Sequence, residues 1–216
     1  MTVMQIVQQL FGSMGITMEI FFVTLITSLI LGLGLALIRM SKNPILSVIA
    51  KFYISVMRGT PLMLQLLVVY FGPFFIFGMQ ITPSYRLKAV LIGFALNYAA
   101  YFAEIYRGGI ESMPAGQYEA AKILGYSKTQ TFFKIILPQV MKRILPSITN
   151  EVITLVKDTS LAFSISVLEM FAIAKALASS QTSLMPFVAA GVFYYVFNLI
   201  VAVAMEYIEK RLSYYQ

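Results

Sequence analysis

The sequence predicts an all-α integral membrane protein, a single domain over residues 1–216 with five transmembrane helices and a polar loop on the cytoplasmic side. Three observations carry this. The chain is 59% hydrophobic and only 12% charged, with a mean hydropathy of +0.83, outside the range of soluble domains of this size. Its apolar residues are gathered into five runs close to the ~20 residues that cross a bilayer core. Its basic residues are divided unevenly between the connections.

The first span is expected at residues 20–38. The second is expected at 61–79, broken by Gly72-Pro73, and the third at 87–106. The fourth, at 144–167, carries Glu151, Lys157 and Asp158 within an otherwise apolar run, and the fifth covers 187–208. Short surface pieces are expected at residues 2–15, 43–56 and 170–182. No basic residue precedes Glu19, so the first span reads as a permanent helix and not as a removable signal. Gly32 and Gly34 in that span read as close-packing positions, because they lack the four-residue spacing of a dimer seam.

Orientation follows from Lys and Arg. With the N-terminus outside and the C-terminus inside, every basic residue except Arg86, Lys88, Lys157 and Lys175 falls on the inner side, twelve of the 16. This is the positive-inside pattern, and it puts residues 107–143 in the cytoplasm. The net charge of +7 then reflects topology and anionic lipid rather than nucleic acid. Cysteine and histidine are both absent, which removes disulfides, thiolate metal sites and histidine-based triads. No metal site is expected.

Within the inner loop, residues 119–138 form a basic, turn-punctuated segment. Ala120, Ala121 and Leu124 share one side of a short helix that Gly125 ends in the left-handed region. Ser127 and Gln130 have capping-box spacing for a second short helix, and Pro138 stops that helix or opens the next. Two short helices with a turn between them make a compact knob; composition alone equally allows an ordinary surface hairpin over 107–146.

The order Glu119-Ala120-Ala121, then Gly125, then Ile135-Ile136-Leu137-Pro138 resembles the cytoplasmic signature of ABC importer permeases. Arg58-Gly59-Thr60-Pro61-Leu62, Ala103-Glu104-Ile105-Tyr106-Arg107-Gly108-Gly109-Ile110, Pro114-Ala115-Gly116-Gln117 and Lys157-Asp158-Thr159-Ser160-Leu161 are similar to the polar amino-acid branch of that family. The resemblance runs from about Glu19 to the C-terminus. It implies a type I importer fold in the bacterial cytoplasmic (inner) membrane and a coupling loop that docks on an ATP-binding cassette subunit. By this resemblance Gly116, Glu119, Ala120, Ala121, Leu124, Gly125, Tyr126, Leu137 and Pro138 are docking residues. It further implies an extracytoplasmic amino-acid-binding protein and a second permease subunit, identical or related.

The chain contains no G-x-x-x-x-G-K-[ST] loop, so it is not expected to be an enzyme. ATP and Mg belong to the partner ATPase, and no cofactor is expected here. Acids within spans are costly and usually have a task, which singles out Glu104 and Asp158. Asn97, Tyr101 and Glu104 share one stripe of the third span. Asp158, Thr159 and Ser160 form a polar patch in the fourth. Two carboxylates with neutral donors suit an amino acid bearing an extra positive charge, its carboxylate taken by hydroxyls or by backbone N–H groups at a broken helix.

Each residue has a structural alternative. Glu104 can pair with Arg107 one turn on, and Asp158 can pair with another helix or cap a kink. Thr60-Pro61 reads as the start of the second span, with ligand contact from Thr60 or Gln65 a secondary reading. Tyr194 and Tyr195 face a pore or a partner, and Tyr214 and Tyr215 sit where an interfacial aromatic belt would be. The expected function is ATP-driven import of a polar, cationic amino acid by alternating access. The alternatives are an ion-coupled secondary transporter and a channel or scaffold subunit.

Overall fold

The computed structural model describes residues 2–212, and all the regular structure among them is helical. Tyr214 and Tyr215 lie outside the described residues.

Helix α1 runs unbroken over Val3–Arg39. Its 37 residues span about 56 Å at 1.5 Å per residue, well beyond the ~30 Å hydrocarbon core. The piece expected at 2–15 is therefore no separate element. A capping box between Thr2 and Gln5 starts the helix early, and Ile6 and Leu10 are buried against Met170, Ala174 and Leu177 further along the chain.

Helices α2 (Pro44–Gly59) and α3 (Leu62–Phe77) meet at an angle of 111°. Asn43 caps α2 with its side chain, and Pro44 takes the first-turn position where no donor is needed. Thr60 ends α2 rather than opening α3: its hydroxyl donates to the Val56 carbonyl at 2.8 Å, and Pro61 is the N-cap of α3. The break expected at Gly72-Pro73 does not occur, because α3 passes through Pro73. Proline removes the N–H that would have met the Val69 carbonyl, and the Tyr85 hydroxyl supplies the missing donor at 3.1 Å.

Helix α4 (Tyr85–Glu111) is the central element, packed against α1, α2, α3 and the later helix α7 (Leu137–Asp158). Three close approaches hold it there. A Cβ on Gly32 would lie 2.8 Å from Phe102 Cβ, one on Gly93 2.7 Å from Leu66 Cδ2, and one on Gly109 would overlap Ile144. At Gly32 a side chain would also meet the Ala99 and Ala103 backbone and force the helices apart, whereas at Gly93 and Gly109 the Leu66 and Ile144 side chains would have to shift.

Helix α5 (Ala115–Ile123) ends as expected, with Gly125 at φ +80°. The Tyr126 N–H reaches the Ala121 carbonyl and the Gly125 N–H reaches the Lys122 carbonyl, the two bonds of a Schellman end. The Ser127–Gln130 capping box opens α6 (Lys128–Thr131). The second helix is not short, however. It passes through a π turn, Phe132–Ile136, straight into α7. Pro138 explains the π turn: it cannot donate to the Lys134 carbonyl, and a wider i→i+5 turn relieves the clash.

The helix α7 gives way at Thr159 to a 3₁₀ segment, Thr159–Ile165, which Ser166 ends at φ 61°. Helix α8 (Met170–Gln181) follows after a 59° bend, and α9 (Met185–Arg211) closes the described chain. Among the described residues α1, α4 and α9 are long and apolar enough to cross a membrane. The two bent pairs bring the number to five if each counts as one span.

Candidate functional site

Asp158 is the last residue of α7 and sits where the α-helix becomes 3₁₀. Tyr98, halfway along α4 and buried among Phe94 and Phe102, donates its hydroxyl to Asp158 Oδ2 at 2.7 Å. Among the described residues no cation lies within salt-bridge distance of this carboxylate, and Lys157 next to it is exposed. Thr159 is fully buried and its hydroxyl donates to the Val156 carbonyl, while the Ser160 hydroxyl donates to the Lys157 carbonyl. Both hydroxyl hydrogens are thus engaged by backbone.

Asn97 and Gln65 serve the helix break. The Asn97 amide donates to Gln65 Oε1 at 2.9 Å and to the Met57 carbonyl at 3.0 Å. The Gln65 amide donates in turn to Met57 and Thr60. These bonds satisfy backbone groups that the 111° bend frees, which buried breaks require.

Tyr101 and Glu104 line a cavity of about 670 Å³ together with Arg39, Lys51, Arg58 and Arg107. Glu104 takes its structural alternative: the Arg107 guanidinium binds it through Nε at 3.0 Å and Nη2 at 2.6 Å. Arg58 lies 3.8 Å from the same carboxylate and stacks over the Tyr101 ring at 5.3 Å. Glu111 holds the remaining arm of Arg107. Tyr98 and Tyr101 are tilted ring neighbours at 6.1 Å. A continuous ridge of i,i+3 neighbours, Tyr98, Tyr101, Glu104 and Arg107, therefore links Asp158 to this cavity.

Sequence reasoning passed over Tyr98, although it stands three residues before Tyr101 on the same helix. It also passed over Glu169, the most buried acid in the fold. Glu169 caps α8, accepting from the Phe171 and Ala172 N–H groups at 2.7 Å each and from the Tyr194 hydroxyl at 2.9 Å. Tyr194 faces this carboxylate, whereas Tyr195 is exposed. An acid immediately before an apolar helix was the available signal.

The knob presents Gly116, Glu119, Ala120, Leu124, Gly125 and Tyr126 to solvent, with Ala121 buried and Leu137 and Pro138 half-buried. Ile123 and Leu124 are 87% and 73% exposed, an apolar tip on an otherwise polar segment. Its base is tied to α7 by a reciprocal amide pair, Gln117 with Gln139 at 2.8 and 2.9 Å, and by Arg143 donating to the Ser112 carbonyl.

A bundle of apolar helices with two bent pairs and a protruding polar knob has the architecture of a membrane-embedded subunit, and its sequence gives the class, a transport permease subunit. Residues 28–214 match the family described as "Binding-protein-dependent transport system inner membrane component", and the chain belongs to that family. It is 37% identical over 205 residues to the probable amino-acid permease protein YxeN of Bacillus subtilis (strain 168), covering 94% of this chain and 91% of that one. It is 40% identical over 201 residues to the arginine transport system permease protein ArtQ of the same organism, covering 93% and 90%. Its fold superposes with a TM-score of 0.87 and 30% identity on a structure described as an amino acid ABC transporter with histidines, covering 98% and 99%. The MetNI methionine ABC transporter, 17% identical with a TM-score of 0.78 over 94% and 96% of the two chains, shares the fold. The resemblance to ABC importer permeases holds, and ATP is hydrolysed on a separate subunit.

Proposed function

We propose that this subunit imports a cationic α-amino acid, with Asp158 as the carboxylate that meets the side-chain cation. The observation that carries this is the state of Asp158: half-buried at the end of α7 and, among the described residues, bonded by a side chain only to the neutral Tyr98 hydroxyl. Glu104 is already neutralised by Arg107 and Arg58, so in this reading it and Tyr101 stay with the basic cavity at the inner end of the helices and do not meet the cargo. Asn97, Gln65 and Thr60 hold the α2–α3 break beside that path, and Thr159 and Ser160 hold the 3₁₀ turn that aims Asp158.

The names of relatives, one for arginine and one structure with histidines, support a cationic cargo. Membership of a binding-protein-dependent family favours ATP-driven import over the ion-coupled reading. In the proposed cycle the N-terminus is outside and the C-terminus inside, and an extracytoplasmic binding protein delivers the amino acid. Two permease subunits enclose it, and ATPase closure, with ATP and Mg on that partner, pulls the knobs so that the site faces each side alternately. Of the nine docking residues named above, the exposed Gly116, Glu119, Ala120, Leu124, Gly125 and Tyr126 contact the ATPase in this reading, whereas Ala121 is buried inside the knob and Leu137 and Pro138 support it from α7.

Replacing Asp158 by Asn tests the cargo. Charge-assisted hydrogen bonds contribute about 1.5–3 kcal/mol, so arginine binding to the purified complex should weaken about ten- to hundredfold while glutamine binding is unmoved. Unchanged arginine affinity overturns the assignment.

A further inference from the structure

The cavity at the inner end of α1, α2 and α4 carries more positive charge than the permease function uses. Arg39, Lys51, Arg58 and Arg107 line it, and Glu104 is its one acid among the described lining residues. Glu104 is engaged by Arg107 and Arg58. Among the described residues Arg39 and Lys51 have no carboxylate partner within salt-bridge distance. Arg39 gives one nitrogen to the Ser47 hydroxyl at 3.1 Å, but its Nε–H is buried without an acceptor. A buried guanidinium donor left unpaired is costly, and an anion oxygen is what satisfies it.

We infer that this cavity binds the phosphate of an anionic phospholipid headgroup. At about 670 Å³ it exceeds the space a lone phosphate fills and is in the range of small-ligand sites. Its surplus charge repels a cationic amino acid. Val48 and Phe52, 65% and 71% exposed, flank Lys51 on α2, and Leu33 and Leu37 are exposed on the turns of α1 that lead to Arg39. A headgroup bound between the arginines would leave acyl chains against these apolar side chains. Basic pockets between spans on the cytoplasmic side are suited to anionic headgroups. The cytoplasmic placement rests on the orientation proposed above; the charge and the cavity do not.

The test uses the intact complex in nanodiscs of phosphatidylcholine doped with phosphatidylglycerol, with native mass spectrometry reading the lipid retained on release. Wild type should retain phosphatidylglycerol over phosphatidylcholine by about tenfold or more. R39Q/K51Q should lose that preference, and K88Q/K175Q, far along the fold, should keep it. Lys51→Gln alone removes only an exposed side chain, so a several-fold loss in that variant guards against a folding defect in the double one. Equal retention of the two lipids by wild type, or equal preference in wild type and R39Q/K51Q, overturns the site. Inorganic phosphate titrated into complexes in pure phosphatidylcholine supplies the other arm. Phosphate binding that R39Q/K51Q abolishes, without any lipid preference, reassigns the cavity to a soluble anion. Because the readout is lipid, failure of the amino-acid reading shows separately, in arginine binding.

Discussion

In the α5–α6 knob, Ser127 and Gln130 bond each other's backbone three residues apart, and the Gly125 turn closes the preceding helix, Gly125 N–H donating to the Lys122 carbonyl and Tyr126 N–H to the Ala121 carbonyl. At the centre of the fold Asp158 takes its hydrogen bond from Tyr98, sixty residues earlier in the chain. The knob is exposed and locally assembled, with an apolar tip; the centre is buried, and it exists only once α4 and α7 have packed. In the proposed reading the knob meets another subunit, and short-range signals suffice to specify it because its shape must stand before the partner arrives. The proposed amino-acid site at Asp158 lies between helices and needs the tertiary fold.

Gly125→Glu attacks the knob and should have the largest effect. A φ of +80° costs a residue with a Cβ roughly 1–2 kcal/mol, and the new charge lies beside Ile123, Leu124 and Tyr126. The complex should still hydrolyse ATP and bind arginine, with uptake reduced by about tenfold or more. Normal coupled uptake in that variant would remove the knob from the docking role and erase the contrast with the centre.

Tyr98→Phe attacks the centre with less force. The ring keeps its packing on Phe94 and Phe102, so the loss is one hydrogen bond to a charged group, about 1.5 kcal/mol at the lower end of its range. The Michaelis constant for arginine should rise several-fold, with ATP hydrolysis per transported molecule unchanged. An unmoved Michaelis constant means that Asp158 is positioned by the 3₁₀ turn alone.

The same contrast decides what was legible in the residues. Gly125, the Ser127–Gln130 box and the five apolar runs are local or compositional, and each was readable. The continuity of α1 through residues 3–15 had a local start signal in the Thr2–Gln5 box, but what holds those residues to the bundle, Ile6 and Leu10 against Met170 and Ala174 far along the chain, was not readable. Nor was the unbroken α3, since the donor that rescues Val69 is Tyr85 on the next helix. Glu104 carried two readings in sequence, and the position of Arg58 across a bent span favours the ion pair. The partner of Asp158 needed a contact that no spacing rule encodes.

The Gln117–Gln139 pair joins the two regions, and breaking it should have the smallest effect. Its two amide bonds, 2.8 and 2.9 Å long, connect the base of the knob to α7, the helix that ends at Asp158. Each neutral bond contributes about 0.5–1.5 kcal/mol, and they form or fail together. Gln117→Ala should therefore lower the amino acid carried per ATP hydrolysed a few-fold, Gln139→Ala should do the same, and the double variant should be no worse than either alone. Arginine affinity should stay at the wild-type value in all three, since Asp158 and Tyr98 are untouched. Additive losses would mean that the two glutamines act separately, and that motion of the knob reaches α7 through the continuous α6–π–α7 rod rather than through this clasp.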